Sequence, residues 1–332
     1  MYFKLKEEYK FGRRRVLKNN GRKVETPILF FGFRLGDKPH VWKHFRVDGV
    51  LTNAYDIYRN KKGSKEIMDE GIHSYLDCQS FIMMDSGGYY FLKEDRIDVD
   101  AKYVVEIQNK AKPDIGVSLD FPLNPNNPED FERRIKLTGK NIKEMSKFAE
   151  FPMIRVIHGF DEISLKKSSK YIDDKHLIGV GSQVAMLYPF RVNKVKHVID
   201  VVCWVRKNFP DSFIHVFGLG SPRLMPLMFF IGADSTDAKT WLWKGVRHMI
   251  FYQGNVYVIK KGTKSWTPLY EGKDYECDCP VCKEYGFNEL LGEKAWKRRA
   301  LHNAWECQRE IEIIRKKIKD NEYEEFIEKR FK

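Results

Sequence analysis

Short apolar runs alternate with longer polar stretches along most of the chain. The apolar runs occupy residues 26 to 33, 48 to 54, 80 to 88, 115 to 121, 153 to 160, 177 to 182, 213 to 220 and 229 to 238. Several stretches between them, such as residues 128 to 150, have the pattern of helices. Alternating strand and helix signals predict an α/β fold with a parallel sheet. Eight units with continuously apolar strands favour a closed (β/α)8 TIM barrel, although the first unit lacks a clear helix.

Polar or glycine residues follow seven of the eight predicted strands, at the point where each strand ends. These residues are Asn53, Asp85, Asp120, His158, Gly181, Ser182, Gly218, Gly220, Asp234 and Asp237. The carboxyl ends of the strands form the rim of a barrel on which active sites are built. We therefore expect these side chains to share one site.

The segment MMDSGGYYF, residues 83 to 91, places a carboxylate and two glycines at the end of an apolar strand. Glycines allow backbone conformations and close approaches that a Cβ atom forbids. Asp85 beside Gly87 and Gly88 therefore predicts a flat ligand lying against bare backbone, with an acid or base within reach. A tight turn after the strand is the alternative interpretation.

The charge balance favours an anionic partner. The chain has 332 residues, with 59 Lys and Arg against 46 Asp and Glu, which gives a net charge of +13. Such an excess suits a polyanion, because contacts to phosphates release counterions. The charged first residues predict no secretory signal, and no apolar run is long enough to predict a membrane span. We expect a cytoplasmic protein.

A cysteine cluster predicts a metal site near the C-terminus. Cys277, Cys279 and Cys282 form a C-x-C-x-x-C run, and His302 follows in a helical segment. Three thiolates and one imidazole complete the tetrahedral shell of a structural zinc site. Unpaired thiols are the alternative for the cysteines, and a buried helical side chain is the alternative for His302. The pattern predicts a barrel over residues 1–270 and a zinc-binding subdomain with C-terminal helices over residues 271–332.

Four motifs, taken together and in this order, resemble the tRNA-guanine transglycosylases. They are Asp85-Ser86-Gly87-Gly88-Tyr89, Leu119-Asp120, Gly232-x-Asp234-x-x-Asp237, and Cys277-x-Cys279-x-x-Cys282 with His302. The resemblance extends from about residue 26 to residue 305. It implies a pentosyltransferase that exchanges guanine in a polynucleotide for a 7-deazaguanine base, with one structural zinc ion.

The resemblance also implies roles for individual residues. Asp237 matches the nucleophile that attacks the ribosyl C1′, and Asp85 matches the residue that protonates the leaving guanine and deprotonates the incoming base. The positions that correspond to base-binding residues are Ser86, Gly87, Tyr89, Asp120, His158, Gly179 and Gly181. Asp120 could instead cap a helix, and Asp234 could be taken for the nucleophile.

Departures from the family pattern favour a DNA substrate over tRNA at this stage. Tyr90 and His158 occupy positions at which the family has glutamine. The bacterial Pro-Thr-Arg run that contacts the anticodon loop is replaced by residues 238 to 241, Ala-Lys-Thr-Trp, and the chain ends in a charged helix. The resemblance is greatest to the branch of phages and bacteria that inserts bases such as 7-cyano-7-deazaguanine into DNA. A guanosine in a duplex must be flipped out before it can react.

Other interpretations remain open. The same exchange on tRNA is the nearest alternative. A non-catalytic nucleic-acid-binding subunit is another, although both Asp85 and Asp237 are present. A barrel enzyme acting on a small sugar phosphate is the last, with residues 218 to 222 as its phosphate loop. Lys239, Lys244, Arg247 and the segment EKAWKRRALH either grip a nucleic-acid backbone or form a solvated face, and a homodimer or an accessory protein is possible.

Overall fold

The computed structural model describes residues 2 to 8, 12 to 92, 99 to 187, 192 to 259, 267 to 268 and 275 to 331. Eight parallel strands close into a barrel in the order β10-β11-β4-β5-β6-β7-β8-β9. These strands are β4 (Ile28–Gly32), β5 (Gly49–Asn53), β6 (Phe81–Asp85), β7 (Ile115–Val117), β8 (Met153–Ile157), β9 (Leu177–Val180), β10 (Phe213–Val216) and β11 (Ser235–Ala238). The predicted (β/α)8 barrel is confirmed, and each of the eight predicted segments contains one barrel strand, although the last strand begins only at Ser235.

The strands are mostly apolar because both of their faces are buried. Alternate side chains such as Phe30, Met83 and Phe213 fill the barrel interior, while Phe31, Met84 and Ile214 pack outward against the helices. This two-sided burial explains why continuous apolar runs predicted the parallel strands so well.

Helices cover the outside of the barrel. They are α1 (Ala54–Arg59), α2 (Lys61–Glu70), α3 (Ile72–Leu76), α4 (Ala101–Ala111), α5 (Phe131–Met145), α6 (Glu162–Ser169), α7 (Gln183–Leu187), α8 (Val192–Asn208), α9 (Met225–Phe230) and α10 (Thr240–Val246). The first unit has only the short 3-10 helix Val41–Lys43 between β4 and β5. None of the helices in the described part of the chain has the length and apolarity needed to cross a membrane.

An antiparallel sheet covers the end of the barrel at which the strands begin, and the sequence pattern did not predict it. It consists of β1 (Tyr2–Glu8), β2 (Arg13–Asn19) and β3 (Arg22–Glu25). Leu17 and Val24 join the interior core, so this sheet closes the lower end. The opposite end, at which the strands finish, is left for the site.

The C-terminal part packs on the side of the barrel. It contains β12 (Met249–Tyr252), β13 (Asn255–Val258), β14 (Thr267–Pro268), α11 (Pro280–Tyr285), the 3-10 helix Phe287–Leu291, α12 (Trp296–Lys319) and α13 (Tyr323–Phe331). Helix α12 contacts α10, β12 and β4. The predicted domain boundary between residues 270 and 271 lies outside the described residues, so that division stays a prediction.

Candidate active site

A cavity of about 410 Å³ opens at the carboxyl ends of the barrel strands. Six of the predicted site residues line it: Asp85, Gly87, Tyr89, Asp120, Gly181 and Asp237. Its volume lies within the range of pockets that hold small molecules. Asp85 ends β6, Asp120 lies in the segment after β7 and Asp237 lies in β11, so the barrel closure brings together residues that are far apart in sequence.

Asp85 ends strand β6 with its carboxylate directed to the backbone of the next turn, since the Gly87 N–H donates to Oδ2 at 3.3 Å. Burial, and after it the nearby charges of Asp120 and Asp237, raise the pKa of Asp85 to about 8. No lysine or arginine forms an ion pair with Asp85 in the described part of the chain. Asp85 is therefore suited to holding a proton near neutral pH.

Two glycines make room around the carboxylates. Gly87 has a φ of +96°, and a Cβ atom there would lie 2.4 Å from the Cβ of Tyr55. A Cβ atom on Gly88 would lie 2.3 Å from the Asp120 Oδ1 atom. The glycine pair thus permits the turn after β6 to approach Asp120 closely, which explains the unusual segment at residues 85 to 88.

Asp120 is held from behind by two buried side chains. The Ser86 hydroxyl donates to Oδ1 at 3.1 Å, and His158 Nε2 lies 3.0 Å from Oδ2. The other nitrogen, His158 Nδ1, lies 2.8 Å from the Ser182 hydroxyl, which also accepts the Leu123 N–H. The imidazole thus lies between the Asp120 carboxylate and the Ser182 hydroxyl. Both Asp120 oxygens are therefore fixed in place.

Three predicted base-binding residues do not line the cavity. Ser86 and His158 are fully buried behind Asp120, so their direct contacts are with that carboxylate. Gly179 lies inside strand β9, where a Cβ atom would meet Phe217 and Ile154, so its small size accommodates interior packing. Of the two glycines predicted from this strand, only Gly181 reaches the cavity wall.

Asp237 is held in a similar way at the end of β11. The Gly218 N–H donates to its Oδ1 at 2.6 Å, and His215 Nε2 lies 3.3 Å from the same atom. His215 Nδ1 is 2.8 Å from the Ser235 hydroxyl. His215 was not among the residues predicted from the sequence. A histidine inside an otherwise apolar, buried strand is the signal that could have identified it.

Asp234 lies at the other end of the barrel, which corrects its assignment to the rim. Residues 229 and 230 belong to α9, and strand β11 begins only at Ser235. Asp234 therefore precedes the strand, where it is fully buried and paired with Arg206 at 2.6 Å and with Arg15 at 3.4 Å. Only Asp237 of the two carboxylates reaches the cavity.

The rim adds aromatic and basic side chains that the motifs did not predict as a group. Tyr89 is 60% exposed at the cavity mouth, and Trp243 on α10 is 47% exposed there. Arg34, Tyr90 and Lys239 complete this side of the wall. Exposed aromatic rings beside cations are typical of sites that bind nucleic-acid bases and backbones.

The basic segment EKAWKRRALH is only partly available for such binding. Arg299 is fully buried and donates to the carbonyls of Gly245, Leu290 and Gly292, so it has a structural role. Arg298 pairs with Glu289 at 2.9 Å. The interpretation of this whole segment as a backbone grip is therefore wrong for Arg299.

The predicted metal ligands form one cluster. The donor atoms of Cys277, Cys279, Cys282 and His302 all lie within 4.8 Å of one another. His302 Nδ1 is 3.6, 3.4 and 3.6 Å from the three sulfur atoms in turn. In a tetrahedral site with Zn–S of about 2.3 Å and Zn–N of about 2.0 Å, this edge is roughly 3.5 Å. The Nε2–H donates to the Phe251 carbonyl at 2.7 Å, which directs Nδ1 toward the sulfurs.

The barrel, the carboxylate site and the cysteine cluster define a known class of protein. Residues 8 to 332 match the family model described as queuine tRNA-ribosyltransferase, and the chain belongs to this family. The expected family resemblance is thereby confirmed, whereas its DNA-acting branch stays a prediction.

Curated relatives are archaeal proteins named tRNA-guanine(15) transglycosylase. The protein of Pyrococcus furiosus is 30% identical over 339 residues, which cover 99% of this chain and 56% of the relative. The protein of Methanopyrus kandleri is 27% identical, with 98% of this chain and 71% of the relative covered. The Archaeoglobus fulgidus protein is 29% identical over 87% of this chain and 59% of its own length. The chain thus spans little more than half the length of the first of these relatives.

Proposed function

We propose that this protein exchanges a guanine base in a nucleic acid for a 7-deazaguanine base through a covalent glycosyl intermediate. The observation that carries the proposal is the shared cavity, into which Asp85, Asp120 and Asp237 open from three different strands. Family membership supports the reaction class, and the names of the relatives favour tRNA as the substrate. The earlier preference for DNA finds no support in those names, so we place tRNA first.

In the first step, an oxygen of Asp237 attacks C1′ of the ribose and the bond from C1′ to the guanine N9 breaks. The electron pair of that bond leaves with the guanine, and Asp85 supplies the proton that neutralises it. A pKa near 8 makes Asp85 a competent acid at neutral pH. Asp237 is suited to attack because the Gly218 N–H and His215 orient its carboxylate.

In the second step, the now ionised Asp85 takes a proton from the incoming 7-deazaguanine. The nitrogen of that base attacks C1′ on the face from which guanine left, and the ester bond to Asp237 breaks. Two displacements at one carbon retain its configuration. The enzyme returns to its starting protonation state, so no other reactant is required.

Asp120 supplies recognition of the base. A guanine presents an N1–H and an exocyclic amino group side by side, and a carboxylate accepts from both. Ser86 and His158 hold the two oxygens of Asp120, so the acceptor pair is arranged before a base arrives. Adenine lacks the N1–H donor and is expected to be rejected.

The proposal is tested by incubating the protein with radiolabelled guanine and either tRNA or DNA. Incorporation of label into tRNA supports the proposal, and incorporation only into DNA would reverse the order of the substrates. The variant Asp237→Asn serves as the inactive control, and Asp200→Asn, on the exposed face of α8, serves as the matched active control. Binding of tRNA without any exchange would favour the non-catalytic subunit instead.

We also propose that Cys277, Cys279, Cys282 and His302 bind one structural zinc ion. The separations between donor atoms match a tetrahedral shell, and four protein ligands leave no coordination position for a substrate. Metal analysis of the purified protein is expected to give one zinc per chain, and Cys279→Ser is expected to lower that ratio. A folded protein with no zinc would contradict this assignment.

A further inference from the structure

A continuous series of contacts runs across the cavity mouth and continues onto the surface beside it. We call it the aromatic band and define it by the residues Trp243, Lys239, Arg34, Tyr90, Tyr55, Tyr58 and Tyr103. It begins at Trp243, whose ring lies 5.7 Å from the Lys239 ammonium group. Lys239 forms an ion pair with Asp37, and the Asp37 carboxylate accepts the Arg34 backbone N–H. The first part of the band therefore joins the start of α10 to the segment after β4.

The second part of the band is built from stacked and edge-on rings. The Arg34 guanidinium lies 5.0 Å from the centre of the Tyr90 ring. The ring centres of Tyr90 and Tyr55, of Tyr55 and Tyr58, and of Tyr58 and Tyr103 are then 5.1, 5.7 and 5.4 Å apart. The rings nearest the cavity are the more buried, whereas Tyr58 and Tyr103 are 36% and 42% exposed.

The charges along the aromatic band suit an anionic chain. Arg34 and Arg59 are exposed, and no carboxylate pairs with either of them in the part of the chain that the structure describes. Arg59 lies 5.7 Å from the Tyr55 ring, so both guanidinium groups alternate with aromatic side chains. The carboxylate of Asp56 is occupied locally, because it accepts from Tyr90 and from Asn53.

We propose that the aromatic band binds an unpaired stretch of polynucleotide on both sides of the reacting guanosine. Neighbouring bases would stack on Trp243 on one side of the cavity and on Tyr58 and Tyr103 on the other, while Arg34 and Arg59 contact phosphates. Aromatic platforms require exposed base faces, which a duplex does not offer. This inference rests on the proposed function, since the cavity is taken as the place of the reacting base.

The aromatic band therefore favours a single-stranded segment, such as an opened loop, as the substrate. This preference applies to RNA and DNA alike. Any base can stack on an aromatic ring, so the aromatic band contributes binding affinity with little sequence preference. Selection of guanine is left to Asp120 inside the cavity. This division places affinity on the surface and specificity in the site.

The inference is tested by fluorescence anisotropy with labelled oligonucleotides that carry one guanine among uridines or thymidines. Trp243→Ala and the double variant Tyr58→Ala with Tyr103→Ala are each expected to weaken binding of the single strand about tenfold. Phe148→Ala is the matched control, because Phe148 is 49% exposed at the opposite end of the barrel. The variant Arg34→Gln is expected to lower the salt dependence of binding by about one counterion.

The outcomes separate this inference from the proposed function. Exchange by the wild type, with unchanged binding in the Trp243 and Tyr58–Tyr103 variants, would overturn the band alone. Equal binding of a fully paired duplex, or an equal loss in Phe148→Ala, would also overturn it. Band-dependent binding without guanine exchange by the wild type would overturn the proposed function and leave the band supported. Separate RNA and DNA arms show which of the two strands the band holds more tightly.

Discussion

At the end of the barrel where the strands begin, Asp114 and Asp234 are fully buried beside arginines. Asp114 lies 3.5 Å from Arg22 and Asp234 lies 2.6 Å from Arg206. Each also accepts the backbone N–H of a neighbouring strand, from Ile82 and Ile214 respectively, at 2.8 Å. These carboxylates serve to fasten the strands and the N-terminal sheet together.

At the other end, Asp85, Asp120 and Asp237 line one cavity, and no arginine among the described residues pairs with them. In the described part of the chain, their ion-pair contacts are limited to two histidines, His158 and His215. Burial, and after it the charges of Asp120 and Asp237, raise the pKa of Asp85 to about 8. One end of the barrel therefore uses carboxylates for stability, whereas the other keeps three carboxylates around one cavity, which is typical of a functional site.

The largest expected effect is on the reaction. Asp237→Asn keeps the shape of the side chain and its contact with the Gly218 N–H but cannot form an ester with C1′. We expect guanine exchange to fall at least about a thousandfold, with the free energy of unfolding changed by no more than about 1 kcal/mol. Exchange assays and urea unfolding measure the two quantities. Residual exchange near the wild-type rate would remove Asp237 from the mechanism.

The matching change at the other end is expected to act on stability. Asp234→Asn leaves Arg15 and Arg206 without a buried anion, and the free energy of unfolding should fall by about 3 kcal/mol. Exchange per folded molecule should stay within about threefold of the wild type, because Asp234 is outside the cavity. A stable but inactive Asp234→Asn protein would contradict the division between the two ends.

A smaller effect, of opposite sign, is expected at Asp85. Between pH of about 4 and about 8 the folded protein keeps the Asp85 proton and the unfolded chain does not, so wild-type stability falls as the pH rises through this window. Asparagine cannot ionise. Asp85→Asn should therefore be more stable than the wild type by at least about 1 kcal/mol at pH 9, and equal to it near pH 3. Urea unfolding across this range measures the difference, which a pH-independent gap would contradict.

The smallest effects are expected from replacing one histidine at each end of the barrel. His215 contacts Asp237, whereas His73 contacts Asp114 at 2.9 Å. His215→Gln is expected to lower kcat about tenfold with KM nearly unchanged and to shift the pH profile of kcat. His73→Gln should lower the free energy of unfolding by about 1 kcal/mol and leave that profile in place. Identical profiles in both variants would assign His215 a merely structural role.

The barrel was predictable because its strands are buried on both faces and most of them are therefore largely apolar. The N-terminal sheet was not, since its β2 and β3 strands carry many arginines and lysines and read as a charged segment. Two of those charges are explained by the structure, because Arg15 lies beside Asp234 and Arg22 lies beside Asp114. Their partners are far away in sequence, so no local pattern reveals the pairing.

The site was predictable where a motif fixed both residue type and strand end, as for Asp85. It was less predictable where only two residues separate two carboxylates, because Asp234 and Asp237 differ only in their position relative to the start of β11. The roles of Ser86 and His158 were assigned to the base, whereas their contacts are with Asp120. Whether a side chain lines the cavity or is buried behind Asp120 depends on its orientation in the folded chain, which the motif does not specify.

Helix α12 connects the cysteine cluster to the helix that carries Trp243 at the cavity mouth. His302 belongs to the cysteine cluster, and the next residue, Asn303, donates to the carbonyl of Trp241 on α10. Helix α10 in turn carries Trp243 at the cavity mouth. With zinc bound at the cysteine cluster as proposed, a chelating agent that never enters the barrel would loosen α10 and so weaken the proposed binding of a polynucleotide at Trp243.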